Sequence, residues 1–173
     1  VPSQWLGAAS ILPVLAQQSG WYEVRLAQRP NESTAWVPAR DLSLADDSYY
    51  IVIDLSTMHL LLFDHGQQIE NFPAGIGVPS DPTPTGQFFV ALFAEAPSPG
   101  YGPFVIVTSA HSNAISDWEE SGDAITAIHG SLGSDAAIGT TGAMVSHGCV
   151  RLHDADLAQL RDVPAGTPID IVG

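Results

Sequence analysis

The sequence predicts a mainly β fold. Three observations carry that expectation. Short apolar runs rich in Val, Ile and Phe recur along the chain, 16 Gly and 13 Pro break them at close intervals, and a single segment has the start and stop signals of a helix. The chain has 173 residues and 45% hydrophobic content, enough for one ordinary core or a medium domain with a smaller companion.

Val1 to Ser10 carries little pattern. Leu12-Pro13-Val14-Leu15, then Trp21 to Leu26 after Ser19-Gly20, then Ala35 to Ala39 after Asn31-Glu32-Ser33-Thr34, read as three short strands separated by turns. In the second, Tyr22, Val24 and Leu26 alternate with polar residues, as a half-buried strand requires. Together they would form a small barrel-like unit. Ala45-Asp46-Asp47-Ser48 is the best boundary in the chain, dividing a segment 1–47 from a main domain 48–173. Tyr49 to Leu55, Met58 to Phe63, Ile69 to Ala74, Gln87 to Ala94, Phe104 to Ser109 and Ile125 to His129 are the strands expected next, with Gly75 to Gly86 as an irregular Gly/Pro-rich stretch. Asp154 suits a helix N-cap, Leu157 and Leu160 give an apolar face, and Pro164 ends the run. Thr167 to Val172 reads as a closing strand. Glu95 to Pro103 and Ser112 to Asp123 read as loops that cover a site, with Tyr101 and Trp118 offering flat apolar surfaces for a substrate.

Charge excludes several classes of function. The net charge is −14, from 19 acidic residues against five arginines. Such a surface repels phosphate backbones, so nucleic acid is excluded as a partner. The chain has no lysine, which removes Schiff-base and serine–lysine chemistry. No apolar stretch approaches the roughly 18 residues a membrane span needs. The start at Val1 reads as a mature or trimmed end, so any membrane contact would come through an anchor upstream of it.

The lone cysteine cannot form an internal disulfide or a multi-thiolate zinc site. It lies in Val145-Ser146-His147-Gly148-Cys149-Val150-Arg151, between a β region and the capped helix. A free thiol has a pKa near ~8.5, so it needs an activating neighbour to act as a nucleophile at neutral pH. His129, at the end of a strand, could face Cys149 if the two segments pair. His147, two residues away, could share a strand face with it. Gly148 permits unusual backbone angles, and consecutive amides there could converge on an oxyanion. His59, His65, His111 and His153 read as surface or satisfied core residues. A Cys-His metal site from His129, His147, Cys149 and His153 is the weaker alternative, because His-X-Cys is not a common zinc spacing.

Taken together, these residues resemble the L,D-transpeptidase catalytic domain. The resemblance rests on Ile128-His129-Gly130, on Ser146-His147-Gly148-Cys149-Val150-Arg151, on Pro82-Thr83-Pro84-Thr85-Gly86-Gln87-Phe88, and on the opening strands Ile51 to Asp54 and Leu60 to Phe63, all in the expected order. It implies a β-sandwich-like fold with one short helix after the Cys motif and a site under a flexible lid. It also implies roles: Cys149 as nucleophile, His129 as general base, the Gly130 carbonyl as the group orienting the imidazole, and amides near His147, Gly148 and Cys149 as the oxyanion hole. Ser146 and His147 would shape the pocket, and Arg151 would hold a loop or meet a substrate carboxylate. The implied reaction is acyl transfer from a peptidoglycan stem peptide, giving 3→3 cross-links through a Cys149 thioester. An L,D-carboxypeptidase using the same thioester and an inactive peptidoglycan-binding module are the alternatives. No metal or organic cofactor would be needed, carbapenem β-lactams would be inhibitors, and the site of action would be extracytoplasmic, in the cell wall or periplasm. Residues 12–44 also resemble bacterial SH3-like domains, through Gly20-Trp21-Tyr22-Glu23-Val24 and Ala35-Trp36-Val37-Pro38; an ordinary N-terminal hairpin packed on the main domain is the alternative.

Overall fold

A computed structural model describes all residues from Val1 to Gly173. The N-terminal part holds a two-residue hairpin, β1 (Gln4–Trp5) with β2 (Ala8–Ala9), and three antiparallel strands, β3 (Val14–Gln18), β4 (Trp21–Arg25) and β5 (Thr34–Pro38). The three strands fall where the turn residues placed them. They form an open sheet instead of a closed barrel. Val24 is their one buried side chain, while Trp21 and Trp36 are exposed, so five-residue strands here have too little apolar surface to close a barrel around.

The rest of the chain supplies β6 (Tyr49–Asp54), β7 (His59–Asp64), β8 (Gln67–Pro73), β9 (Gly75–Gly77), β10 (Gly86–Ala94), β11 (Val105–His111), β12 (Ile125–His129), α1 (Asp135–Ile138), β13 (Ala143–Ser146), β14 (Val150–Arg151), α2 (Asp154–Gln159) and β15 (Pro168–Val172). The strands form one ten-stranded sheet in the order β13-β9-β14-β12-β11-β10-β15-β6-β7-β8. Its two halves curl over one core. Ile51 and Ile53 of β6, Leu60 and Leu62 of β7, Phe88 and Val90 of β10, Ile106 of β11, Ile128 of β12 and Ile169 and Ile171 of β15 meet there, with Leu157 of α2 against them. The two-residue period of strands sends alternate side chains inward, and this is the origin of the pattern.

Several elements depart from the sequence expectation. The Gly/Pro-rich stretch contains β9, whose glycines are buried between β13 and β14. Its Gly77 N–H donates to the Thr83 hydroxyl at 2.9 Å, so the Pro82 to Gly86 turn braces this strand. A second helix, α1, is a single turn too short to show a periodicity. At α2, His153 is the N-cap and Asp154 the first helical residue: the His153 carbonyl accepts the N–H groups of Asp156 and Leu157 at 3.0 and 2.9 Å.

The core assignment gives a test. Leu152 is fully buried, whereas Met144 is half exposed. Leu152→Ala should lower the unfolding free energy by about 2–5 kcal/mol in urea titrations, and Met144→Ala by less than about 0.5 kcal/mol. Equal effects would contradict this packing.

Candidate active site

The site grows from one strand pairing. β14 lies parallel to β12, with Val150 opposite Ile128 and Arg151 opposite His129. Val150 and Ile128 both point into the core. Strand alternation therefore turns Cys149, Arg151, Ala127 and His129 to the opposite face, where all four line a cavity of about 650 Å³. The chain brings the two candidate groups together by register, although α1 and β13 lie between them in sequence.

His129 is 3% exposed. Its Nδ1 lies 2.8 Å from the Gly130 carbonyl oxygen. A carbonyl only accepts, so Nδ1 carries the proton and Nε2 presents a lone pair. Burial, with a smaller contribution from the Arg151 charge, lowers the pKa of the imidazole to about 4 despite the opposing effect of the Gly130 carbonyl. The ring is thus neutral at physiological pH. Because the unfolded chain binds that proton near ~6.5, the fold loses stability as pH falls through the window from about 6.5 to about 4. Tyr101 packs on the ring with centroids 4.8 Å apart. Gly130 allows this approach: a Cβ there would lie 2.6 Å from Gly102 N and 2.7 Å from the Tyr101 carbonyl carbon.

Cys149 is free and half-buried. Its sulfur accepts the Ala127 N–H at 3.4 Å. The structure makes no hydrogen bond between this sulfur and His129; both border the same space, where a substrate would lie between or beside them. Burial pushes the thiol pKa up, against the lowering effects of the Ala127 N–H and the Arg151 charge. The resting pair is therefore a thiol and a neutral imidazole, not an ion pair.

The turn before Cys149 is fixed by Ser146. Its hydroxyl donates to the Cys149 carbonyl at 2.5 Å and accepts the Gly148 N–H at 3.1 Å. Gly148 has φ +116°, a region that excludes most side chains. Of the three amides expected to converge on an oxyanion, that of Gly148 is engaged by Ser146, while those of His147 and Cys149 donate to no protein acceptor. His147 is turned outward. Its Nδ1 lies 2.8 Å from Asp81 Oδ2, and Trp118 stacks on it at 5.4 Å between centroids. It is tied to an acid and a lid residue, and, like His129, it makes no hydrogen bond to the sulfur. Arg151 donates from Nη1 to the Ser134 hydroxyl at 2.9 Å and reaches the Ser131 carbonyl at 3.5 Å, so it holds the loop after Gly130; its Nε is buried without a partner.

His153 departs from the other histidines. Its Nδ1 is 2.9 Å from Asp135 Oδ1 and its Nε2 3.2 Å from the Gly139 carbonyl, which removes one ligand from the alternative metal set. Two residues escape the sequence reading. Asp81 has no spacing that links it to His147. His111, expected on the surface or satisfied in the core, is 2% exposed with both ring nitrogens lacking an aligned partner, and it lines the same cavity.

Comparison with known proteins gives the family and the fold. The model of the L,D-transpeptidase catalytic domain, the YkuD family, matches residues 48–171. The YkuD proteins of Bacillus licheniformis and Bacillus subtilis, both named for that activity, are 30% and 27% identical over 124 residues. The match covers 71% of this chain and 65% of each relative, so it spans just under two thirds of their length. Among solved structures, an L,D-transpeptidase from Mycobacterium smegmatis has a TM-score of 0.57 at 19% identity, covering 94% of this chain and 82% of that one. The L,D-transpeptidase LdtMt1, solved in complex with imipenem, has a TM-score of 0.55 at 22% identity over 88% of this chain and 67% of that one. At these identities the structural likeness is one of fold, a mainly β structure built on a curled sheet. With the catalytic-domain model aligned from the start of β6 through β15, across both His129 and the Cys149 turn, this chain belongs to the L,D-transpeptidase family.

Proposed function

We propose that the chain is a cysteine L,D-transpeptidase that forms 3→3 cross-links in peptidoglycan, working outside the cytoplasm, with residues 1–47 as an accessory segment and 48–173 as the catalytic unit. The observation that carries this reading is the β12–β14 register, which sets Cys149 and a buried imidazole with an open Nε2 on one cavity.

That geometry supports the following steps, with the substrates that the family resemblance implies. A stem tetrapeptide enters with the carbonyl of its third residue at the sulfur. The Cys149 thiol gives its proton to His129 Nε2, and the sulfur attacks that carbonyl carbon. The raised thiol pKa and the neutral ring mean that this transfer accompanies substrate arrival, instead of preceding it. The amides of His147 and Cys149 receive the oxyanion, fixed in direction by the Ser146 bridge. The tetrahedral species collapses, the C–N bond to the terminal D-alanine breaks, and His129 returns the proton to the leaving amine. A side-chain amine of a second stem then attacks the thioester, forming the new amide and releasing the thiol. Gly130 positions the imidazole through its carbonyl. The Arg151 charge beside the sulfur supplies local attraction for a substrate carboxylate in an otherwise acidic protein, and Tyr101 and Trp118 cover the peptide.

Three outcomes test the reading. A carbapenem should add one drug mass to the protein at Cys149 and none to Cys149→Ala; no adduct, or the same adduct in both, would overturn the proposed nucleophile. Substituting His129→Gln should slow that acylation by about 10²–10⁴-fold. The acylation rate of the native protein should hold level from neutral pH downward and fall only as pH approaches about 4, where His129 gains its proton. An acid limb centred near ~6.5 would mean the base is an unperturbed histidine. Product masses from a tetrapeptide muropeptide separate the alternatives: dimer for transfer, tripeptide alone for an L,D-carboxypeptidase, and no turnover for a binding module.

A further inference from the structure

The cavity does not end at Cys149 and His129. It continues along β11 and β12 to His111 and Asp123, and its outer wall there comes from the N-terminal part: Trp5 and Leu6 at the tip of the β1–β2 hairpin, and Ala27 and Gln28 after β4. Leu6 is a 65% exposed aliphatic residue with φ +48°, an uncommon conformation for such a side chain, and it is turned to this space. The lid loop is fastened to the same N-terminal part. All three guanidinium nitrogens of Arg29 are used on it: Nε donates to Asp123 Oδ1 at 2.8 Å, Nη1 to the Ser112 carbonyl at 2.8 Å and Nη2 to the Ile115 carbonyl at 3.0 Å. Asn31 exchanges two hydrogen bonds with the backbone of His111, at 2.8 and 2.9 Å. One arginine thus joins both ends of the loop that reaches over His147 through Trp118.

The chemistry of this arm differs from that of the Cys149 end. No arginine lines this arm, and Arg29 directs three of its five N–H groups to the loop, so no cation faces the space to compensate a carboxylate. What faces the space is acceptor-rich: the Asp123 carboxylate, the Gln28 amide and the buried His111 ring, whose Nε2 has no partner and whose Nδ1 lies 2.8 Å from Asp123 Oδ2 in poor alignment. Arg151, by contrast, sits beside the sulfur. We propose that the N-terminal segment completes a second arm of the active site that receives the amine-bearing acyl acceptor, with Gln28 and His111 as specificity residues and Arg29 as the positioning residue that holds the arm closed. This rests on the thioester reading above and assigns its second substrate a place. A closed arm also limits water, so it biases the thioester toward aminolysis over hydrolysis.

The test uses the full chain with a disaccharide tetrapeptide as donor and an isotope-labelled tripeptide, bearing a free side-chain amine, as acceptor. The ratio of labelled dimer to unlabelled tripeptide reads only the fate of the thioester, so the rate of its formation drops out. Gln28→Trp fills the arm from an exposed position that the fold does not depend on, and Arg29→Ala releases the loop. Both should raise the acceptor concentration needed for half-maximal dimer by at least fivefold and shift product toward tripeptide. An unchanged acceptor dependence in Gln28→Trp, or a native protein that yields tripeptide only, would overturn the proposal. Failure of the underlying reading is seen separately, as absence of any acyl adduct at Cys149 in the native protein.

Discussion

The parallel pairing of β12 with β14 is the constraint on which the rest of the structure depends. It is only two residues long, yet it decides what Cys149 and His129 can do. With Ile128 and Val150 locked in the core, their neighbours have no choice of face. A one-residue slip would send the sulfur inward and Val150 into the cavity. The flanking pieces serve this register: β9 pairs with β14 on its other side, Thr83 braces β9, and Ser146 ties the turn that feeds the strand.

That arrangement sets the electrostatics in an informative way. Burial raises the thiol and lowers the imidazole, so neither group is charged at rest. A buried thiolate and imidazolium would each lose hydration, and the fold offers Cys149 only one amide and one neighbouring cation to compensate. On the proposed mechanism, charge is created only when an acyl group arrives to receive it. The acidic surface does not conflict with the proposed chemistry, because recognition beside Cys149 would depend on backbone amides and on Arg151, not on the net charge of −14.

Much of the fold was legible in the chain because its strands alternate cleanly. Ile51 and Ile53, Leu60 and Leu62, and Ile169 and Ile171 mark their faces without help. The Cys turn stood out because the chain's lone thiol follows Gly148, with a serine and a histidine just before it. What could not be read shares one property: it depends on partners distant in sequence. Gly75–Gly77 is a strand only because β13 and β14 enclose it. His147 pairs through Nδ1 with Asp81, and nothing in the spacing announces that pair. The polar run around Asn31 looked like a turn, and it is one, but Arg29 and Asn31 also grip a loop some eighty positions later. The expected barrel at the N-terminus remained an open sheet, since alternation predicts strands and says little about closure.

Burial holds His129 neutral, while the Gly130 carbonyl keeps its one proton on Nδ1. Long-range ¹H–¹⁵N NMR of the histidine side chains reads tautomer and titration together. The account predicts that the ring of His129 is in the Nδ1–H form at neutral pH and gains its second proton only near about 4. A ring that carries its proton on Nε2, or that titrates near ~6.5, would contradict it.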